Sequence, residues 1–233
     1  MKKSLHILVI QILLMCLCST IGHSQDKKFY LGIQSGIFVP SNEFIDGYQI
    51  ITYNDGSPTG LQASGYGNAT DLNLRFQYYI SNFGIHFDGG ARIFSRAISM
   101  SLAPDGTMET YENTLNIFPI EFGVVYRYVS KNEKVVPYYS VGIGGYYGTM
   151  NALHEIENTG RDWYKGSSFA MGFYHSLGMY MEIYGDLLLN AEIKFNHASS
   201  DWHLENQDVN REQKYEKLNT GGAAYKVGLA FRF

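Results

Sequence analysis

Cysteine is nearly absent from this sequence, which excludes a fold that depends on disulfide bonds. The chain has 233 residues and two cysteines, Cys16 and Cys18. Both lie in an N-terminal segment with the features of a cleavable leader, so we expect the mature chain to contain no thiol. A chain without cysteine has neither a disulfide framework nor a thiol nucleophile. Its stability has to come from a large hydrogen-bonded fold.

Long apolar runs are absent as well. The most apolar stretch, Ile7 to Cys18, has 12 residues, whereas a helix that spans a bilayer needs about 20. Two lysines precede this stretch and "GHSQ" follows it, which predicts a secretory signal peptide over residues 1–24 with cleavage before Gln25. The alternatives are an uncleaved membrane anchor and a lipoprotein signal. Bulky residues directly before both cysteines disfavour the lipoprotein signal.

Charged residues are also scarce, at 17% of the chain. Loss of the two leader lysines would change the formal net charge from −4 to −6. Nucleic acids bind surfaces rich in lysine and arginine, so we expect no nucleic-acid partner. Aromatic residues and glycine are abundant instead, with 19 Tyr, 14 Phe and 25 Gly. This composition favours strands and close backbone contacts over helices.

Apolar residues alternate with polar or small ones along the whole mature chain. A period of two is the spacing of side chains on one face of a strand. In "LNLRFQYYI", for example, Leu72 and Leu74 flank Asn73. No segment has helical periodicity of comparable strength. The pattern predicts eight strands, at residues 29–39, 72–80, 83–94, 117–128, 137–148, 169–183, 187–195 and 223–233.

Short and long connections alternate between these strands. The short ones are Ser81–Asn82, a turn around Lys131–Lys134, and Tyr184–Asp186; the long ones run roughly over residues 40–70, 99–116, 150–167 and 196–220. An even number of strands with short periplasmic turns and long extracellular loops is the layout of outer-membrane barrels. A β-sandwich would mix the lengths. We therefore expect an all-β fold over residues 25–233, an eight-stranded antiparallel up-and-down transmembrane β-barrel.

The chemistry of the two strand faces favours a membrane over water. The bulky aliphatic and aromatic side chains share one face, and the charged residues share the other with Gly, Ala and Ser. In a soluble ligand-binding barrel the bulky face would point inward and crowd a small lumen. In a membrane that face contacts lipid, and tyrosines at strand ends form an interfacial girdle. The tyrosines expected there are Tyr78, Tyr79, Tyr126, Tyr128, Tyr138 and Tyr139.

Three features together resemble the bacterial outer-membrane protein β-barrel domain family, over essentially all of residues 25–233. They are the leader ending in "GHSQ", strands such as "LNIFPIEFGVVYRY", and the terminal "GLAFRF" with Phe231 and Phe233. The resemblance implies location in the bacterial cell outer membrane, among its lipids and lipopolysaccharide. It also implies that Phe231 and Phe233 form the signal read by the barrel-assembly machinery. A Gln directly after the proposed cleavage site resembles the pattern of secreted proteins of Bacteroidetes-type bacteria.

The inward face of the predicted barrel carries both signs of charge. Buried charges have to be paired or hydrated, which predicts a cross-barrel network of salt bridges. An ion path or a proton relay is the alternative to a structural plug. Glu182 and Glu192 on neighbouring strands could also act as a general acid and base, although Lys194 offers a simple partner. The expected network is Arg75, Asp88, Arg92, Glu121, Arg127, Glu182, Glu192, Lys194, Lys226 and Arg232.

The stretch "FNHASS" offers a catalytic alternative. His197 and Ser199 resemble the His-x-Ser-Asn motif of outer-membrane lipid A deacylases, in which His activates Ser and a Glu on the next strand orients the His. Ser200 stands in place of the Asn, and Ala223 and Ala224 stand in place of the Glu. The alternative is a polar loop base without activity.

Two other histidines bear on metal binding. His203 and Asp201 could join His197 as metal ligands, but the spacing matches no strong motif, so we expect no metal. His175, on the apolar face of the sixth strand, is expected at the membrane interface. No cofactor is expected either.

The first functional hypothesis is a structural or surface-binding barrel without a wide pore. Four long extracellular loops would carry any contact with an extracellular ligand. A lipid A deacylase-like hydrolase is the second hypothesis, and a narrow, porin-like channel is the third.

Overall fold

The computed structural model describes residues 28–41, 67–94, 97–102, 107–128, 134–156, 160–200, 203–206, 212–214 and 218–233. The expected signal peptide over residues 1–24 lies outside the described residues. So do most of the expected loop between residues 40 and 70 and most of the turn around Lys131–Lys134. Within the described ranges no helix is long and apolar enough to cross a membrane.

The regular structure of the described residues consists of twelve strands. They are β1 (Phe29–Pro40), β2 (Ala69–Ile80), β3 (Phe83–Phe94), β4 (Ala97–Leu102), β5 (Met108–Arg127), β6 (Val135–Ile156), β7 (Gly160–Tyr184), β8 (Leu187–Ser200), β9 (His203–Asn206), β10 (Glu212–Lys214), β11 (Leu218–Asn219) and β12 (Gly222–Arg232).

Eight of these strands close into one antiparallel barrel. In order they are β1, β2, β3, β5, β6, β7, β8 and β12, and each pairs with the next along the chain. The barrel closes where β12 pairs with β1, from Tyr30↔Arg232 to Pro40↔Gly222. Neighbours that run antiparallel and follow in chain order define an up-and-down barrel, so the predicted fold class is confirmed.

The alternation in the sequence becomes the two faces of the barrel wall. On β2, Leu74 is 53% exposed, whereas the neighbouring Arg75 is 1% exposed. The same alternation places large apolar side chains outside on all eight barrel strands. Closure pairs the backbone groups of every barrel strand, as a lipid environment requires. The soluble-barrel alternative does not fit, because it needs the apolar face inside.

The second and third connections are mostly strand, so the expected long loops over residues 99–116 and 150–167 are wrong. β4 pairs with β5 from Ala97↔Asn113 to Leu102↔Met108. β6 and β7 stay paired as far as Ile156↔Gly160, which leaves only residues 157–159 between them. Pairs such as Asn151↔Lys165 carry no apolar residue. The apolar alternation therefore ends before the hydrogen-bonded ladder does, because strands beyond the membrane need no lipid-facing side chains.

These extensions form a sheet that projects from one end of the barrel. β5 pairs with β3 as far as Ile93↔Asn116 and then with β4, whereas β7 pairs with β9 at Tyr164↔Asn206 and its neighbours. The resulting order β4-β5-β6-β7-β9-β10 is the projecting sheet. The tight turns at Ser81–Asn82 and Gly185–Asp186 lie at the opposite end of the barrel. The projecting sheet thus extends from the end opposite the short turns, the end that is extracellular in known outer-membrane barrels.

Candidate functional site

Charged side chains fill the middle of the barrel lumen. Eight of them are at most 3% exposed, and four are cationic and four anionic, so their formal charge sums to zero. This balance matters because an uncompensated charge in a low-dielectric interior is costly. The set, called the charged layer below, is Asp71, Arg75, Asp88, Arg92, Glu121, Glu192, Lys194 and Lys226.

Arg75 joins the carboxylates of two different strands. Its Nε donates to Asp88 Oδ1 at 2.8 Å and its Nη2 donates to Asp88 Oδ2 at 2.6 Å, a bidentate pair. On the other side it donates to both carboxylate oxygens of Glu192, the Nη2–Oε1 distance being 2.9 Å. The Nη1 of Arg75 also donates to the Tyr138 hydroxyl at 2.7 Å. All the partners are buried, so the geometry of the guanidinium is fixed from every side.

Lys194 crosses the lumen and contacts Glu121 as well as the two acids that pair with Arg75. Its Nζ lies 2.6 Å from Asp88 Oδ2 and 2.5 Å from Glu121 Oε2, and 3.8 Å from Glu192 Oε1. Asn196, two residues further along β8, donates to Glu121 Oε1 at 2.7 Å. β8 therefore reaches the far wall of the barrel through side chains on its inner face.

Asp71 belongs to the charged layer but is not part of the network expected from the sequence. Arg92 Nε donates to Asp71 Oδ2 at 3.1 Å, and Lys226 Nζ lies 3.6 Å from Asp71 Oδ1. The predicted strand began at Leu72, whereas β2 begins at Ala69. Extending the alternation of Asn73 and Arg75 by one step toward the N-terminus would have placed Asp71 on the inner face.

Clusters of buried aromatic and aliphatic side chains flank the charged layer on both sides. Toward the tight turns lies a cluster of buried side chains that we call the turn-side layer: Tyr30, Tyr79, Val125, Val136, Tyr138, Tyr180, Leu188 and Ala230. Toward the projecting sheet lies the loop-side layer: Phe38, Ala69, Phe94, Leu115, Ile117, Tyr146, Met150, Ala152, Tyr164, Ala170, Ala198 and Ala224. Together with the charged layer, these two layers fill the described part of the lumen with side chains.

Two of the six tyrosines expected in the outer girdle lie in the lumen instead. Tyr79 is fully buried and Tyr138 is 3% exposed, whereas their neighbours Tyr78 and Tyr139 face outward. Adjacent residues of a strand must point to opposite faces, so a Tyr-Tyr pair cannot lie wholly in the girdle. The prediction was wrong for Tyr79 and Tyr138.

Three members of the expected network lie at the turn end of the barrel. Arg127 donates to the Tyr30 hydroxyl at 2.7 Å and to the Ser81 carbonyl at 3.2 Å. Arg232 lies 3.8 Å from Glu182 and 3.6 Å from Asp186. These side chains are partly exposed, so they form a rim outside the charged layer.

The structure does not bring Glu182 and Glu192 together as an acid–base pair. Glu192 pairs across the strands with Gly178, whereas Glu182 pairs with Leu188. Glu192 accepts hydrogen bonds from Arg75, and Glu182 lies at the exposed rim. Neither carboxylate is positioned to exchange a proton with the other.

His197 and Ser199 both point outward from β8, away from the lumen. The ring of His197 stacks on Phe173, with centroids 4.6 Å apart. Among the described residues that face outward on the neighbouring strands, no carboxylate lies near this pair. On β12 the residue paired with Phe195, two positions before His197, is Ala223. Asp201 and the side chain of His203 lie outside the described residues. Among the side chains that are described, no group of three metal ligands occurs.

Three solved structures share the fold at low sequence identity. OprG, an outer membrane protein from Pseudomonas aeruginosa, is 14% identical with a TM-score of 0.59, covering 91% of this chain and 98% of its own. A major outer membrane protein from Thermus thermophilus is 11% identical with a TM-score of 0.57, covering 90% and 100%. The outer membrane protein AlkL is 15% identical with a TM-score of 0.52, covering 91% and 92%. No family model matches the chain, and a search of curated proteins found no match.

The fold and the exposed surface lead to one assignment. The chain has the fold of small outer-membrane barrels over about nine-tenths of its length. Its outward side chains, such as Ile33, Phe122 and Leu229, are more than half exposed and would be unstable in water as a continuous surface. The protein is therefore an integral outer-membrane β-barrel.

Proposed function

We propose that this barrel is a non-conducting surface-binding protein of the outer membrane, which acts through its projecting sheet. The observation that supports the proposal is the combination of a lumen filled by buried side chains with strands that continue well beyond the barrel. A lumen filled by side chains offers no route for solutes. The extracellular strands remain as the part of the described chain that can meet a partner.

The projecting sheet presents a large aromatic side chain to the outside. Trp163 is 45% exposed and pairs with Leu153. Arg161 and Lys165 flank it on the same face of β7. A tryptophan beside cationic side chains is a composition typical of binding hot spots. The rigid, fully paired β6–β7 hairpin would hold these groups in place at little cost in conformational entropy.

Adhesion of cells that display the protein tests the surface-binding role. We expect expressing bacteria to bind at least one immobilised matrix protein or glycan above the vector control, and Trp163→Ala to remove most of this binding. The matched control is Phe169→Ala on the outer face of the same strand, nearer the membrane. Outer-membrane levels have to be equal for all variants. Binding that is unchanged by Trp163→Ala, or no binding to any surface, would contradict the proposal.

The channel and hydrolase alternatives make separate predictions. A narrow channel predicts discrete current steps in planar bilayers, whereas the filled lumen predicts silent membranes. A hydrolase predicts that lipid A loses an acyl chain in a strain that overproduces the protein and that Ser199→Ala prevents the loss. We expect lipid A of unchanged mass, since no described carboxylate lies where it could orient His197.

A further inference from the structure

The outer surface of the barrel wall carries almost no ionisable side chain. At its outward-facing positions the described residues include no Asp, Glu, Lys or Arg and two histidines, His175 and His197. The outward positions are the alternate residues of 29–39 on β1, 70–80 on β2, 83–93 on β3, 116–126 on β5, 135–149 on β6, 169–183 on β7, 187–199 on β8 and 223–231 on β12.

The two histidines form one cluster with two phenylalanines. Phe173 pairs across the strands with His197, and His175 pairs with Phe195. Ring centroids are 4.6 Å apart for Phe173 and His197, 5.2 Å for His175 and Phe195, and 5.7 Å for the two histidines. All three pairs are stacked within 23° of parallel. The imidazoles are therefore held side by side on one patch of the barrel exterior.

The patch lies at the extracellular edge of the apolar surface. Ten residues separate His175 from the turn at Gly185, which is about 33 Å of strand and, at a tilt of about 40°, about 25 Å of height. The apolar band of such barrels is about 25 Å tall. On β8 the apolar side chains end at Phe195 and are followed by His197 and Ser199, whereas on β7 they continue to Phe169. The apolar surface thus ends earlier on β8 than on β7, and His197 lies just beyond its end on β8.

The imidazoles have no hydrogen-bonding partner among the described residues. Their contacts within the described chain are ring stacks, and no described carboxylate shares their face of β7, β8 or β12. Two nitrogen donors placed in the interfacial layer of a membrane meet lipid headgroups, whose anionic groups are strong acceptors. A metal ion is less suited to the patch, because zinc sites use at least three protein ligands and this patch offers two.

We propose that His175 and His197 bind the phosphate group of an outer-leaflet lipid. The ring N–H groups donate to phosphate oxygens, and Phe173 and Phe195 keep the rings oriented toward the headgroup. The lipid supplies the acceptor that the protein itself does not provide on this face. The site is separate from the projecting sheet and does not depend on a partner there.

Native mass spectrometry of the refolded barrel with defined lipids tests the site. The probes are lipid A with both phosphates, and the same lipid A with its phosphates removed. We expect the wild type to retain the phosphorylated lipid about tenfold better, the effect of one charge-assisted hydrogen bond or more. His175→Phe/His197→Phe keeps the aromatic surface and should abolish this preference. Tyr225→Phe, which removes an outward hydroxyl from β12, is the matched control and should retain it.

Several results would overturn the proposal. Equal retention of phosphorylated lipid by the wild type and the double variant would show that the histidines do not bind it. Displacement of the lipid by millimolar inorganic phosphate would assign the site to a free anion, and a preference that appears only with added Zn²⁺ would assign it to a metal. His197→Gln keeps an N–H donor and is expected to retain part of the preference, so the test does not depend on one variant. The heat-dependent electrophoretic shift of each variant confirms that the barrel is folded.

Discussion

Replacement of Lys194 by Met is the most direct test of the charged layer. Lys194 is fully buried, and its ammonium lies within 2.6 Å of two carboxylates, those of Asp88 and Glu121. Methionine is similar in length and fits an apolar wall, so the change removes the charge with little change in volume. The lumen would then carry four anionic and three cationic groups. Arg75 continues to neutralise Asp88. Glu121 keeps only a longer ionic contact among the described residues, 3.6 Å from Arg92 Nη2, so Glu121 is the group that loses most.

The expected loss of stability is large because the pair is buried. Removing one partner of a buried ion pair costs about 3–5 kcal/mol, since the other charge stays in the interior without compensation. Arg161→Met supplies the matched control: Arg161 and Glu155 lie 3.0 Å apart, but their side chains are 64% and 42% exposed. An exposed pair contributes about 0–1 kcal/mol. The two substitutions should therefore differ by several kcal/mol at similar contact distance.

A double variant separates the effect of charge imbalance from the effect of lost packing. Lys194→Met/Glu121→Gln restores a neutral lumen, and the amide oxygen introduced by Glu121→Gln can still accept from Asn196 and Tyr146, as the carboxylate of Glu121 does. We expect the double variant to be less destabilised than the sum of the two single variants by about 1 kcal/mol or more. Urea unfolding in lipid vesicles, followed by tryptophan fluorescence and the electrophoretic shift, measures the wild type, the three single variants and the double variant. Additive effects, or equal effects of Lys194→Met and Arg161→Met, would refute the reasoning.

Two further predictions concern the turn-side layer and the strand seam. Gly178→Ala should destabilise the barrel by about 1–3 kcal/mol, because the new Cβ would lie 2.3 Å from the Tyr138 ring. Gly89→Ala is the control and should be tolerated, because its new Cβ meets no atom closer than 3.8 Å. Unfolding in vesicles compares the two variants, and equal stability would contradict the packing argument. Phe233→Ala should leave refolding into vesicles intact, because the two backbone hydrogen bonds between Phe233 and Phe29 remain. If the terminal aromatic residue is an assembly signal, the same change should lower the amount of the protein in the outer membrane of cells. An unchanged amount would contradict that role.

The barrel was predictable because the membrane imposes a period of two on every spanning strand. Each barrel strand carries apolar residues on alternate positions, and closure allows only one arrangement of the two faces. Seven of the eight members of the charged layer were found by taking charged residues on the inner face of these strands. Asp71 was missed only because the predicted strand began at the residue after it, whereas β2 begins at Ala69.

The projecting sheet was not predictable by the same reasoning. Its strands lie in water on at least one side, so both faces carry polar residues, as in Asn151↔Lys165 and Glu155↔Arg161. Without alternation, a strand and a loop of mixed composition look alike in sequence. The stack of His175, His197 and two phenylalanines was also hidden, because it depends on the register between β7 and β8. That register is a property of the tertiary structure.

Tyr138 connects the turn-side layer to the charged layer. Its hydroxyl accepts from Arg75 at 2.7 Å and donates to Glu192 at 2.9 Å, so it is part of the polar network. Its ring stacks on Tyr180 at 5.0 Å and covers the bare backbone of Gly178, so it is also part of the turn-side layer. To open the turn-side layer, this ring would have to move, and Arg75 and Glu192 would each lose the hydrogen bond to its hydroxyl. Because a hydrogen bond to a charged group contributes about 1.5–3 kcal/mol, the loss of these two bonds would oppose movement of the Tyr138 ring.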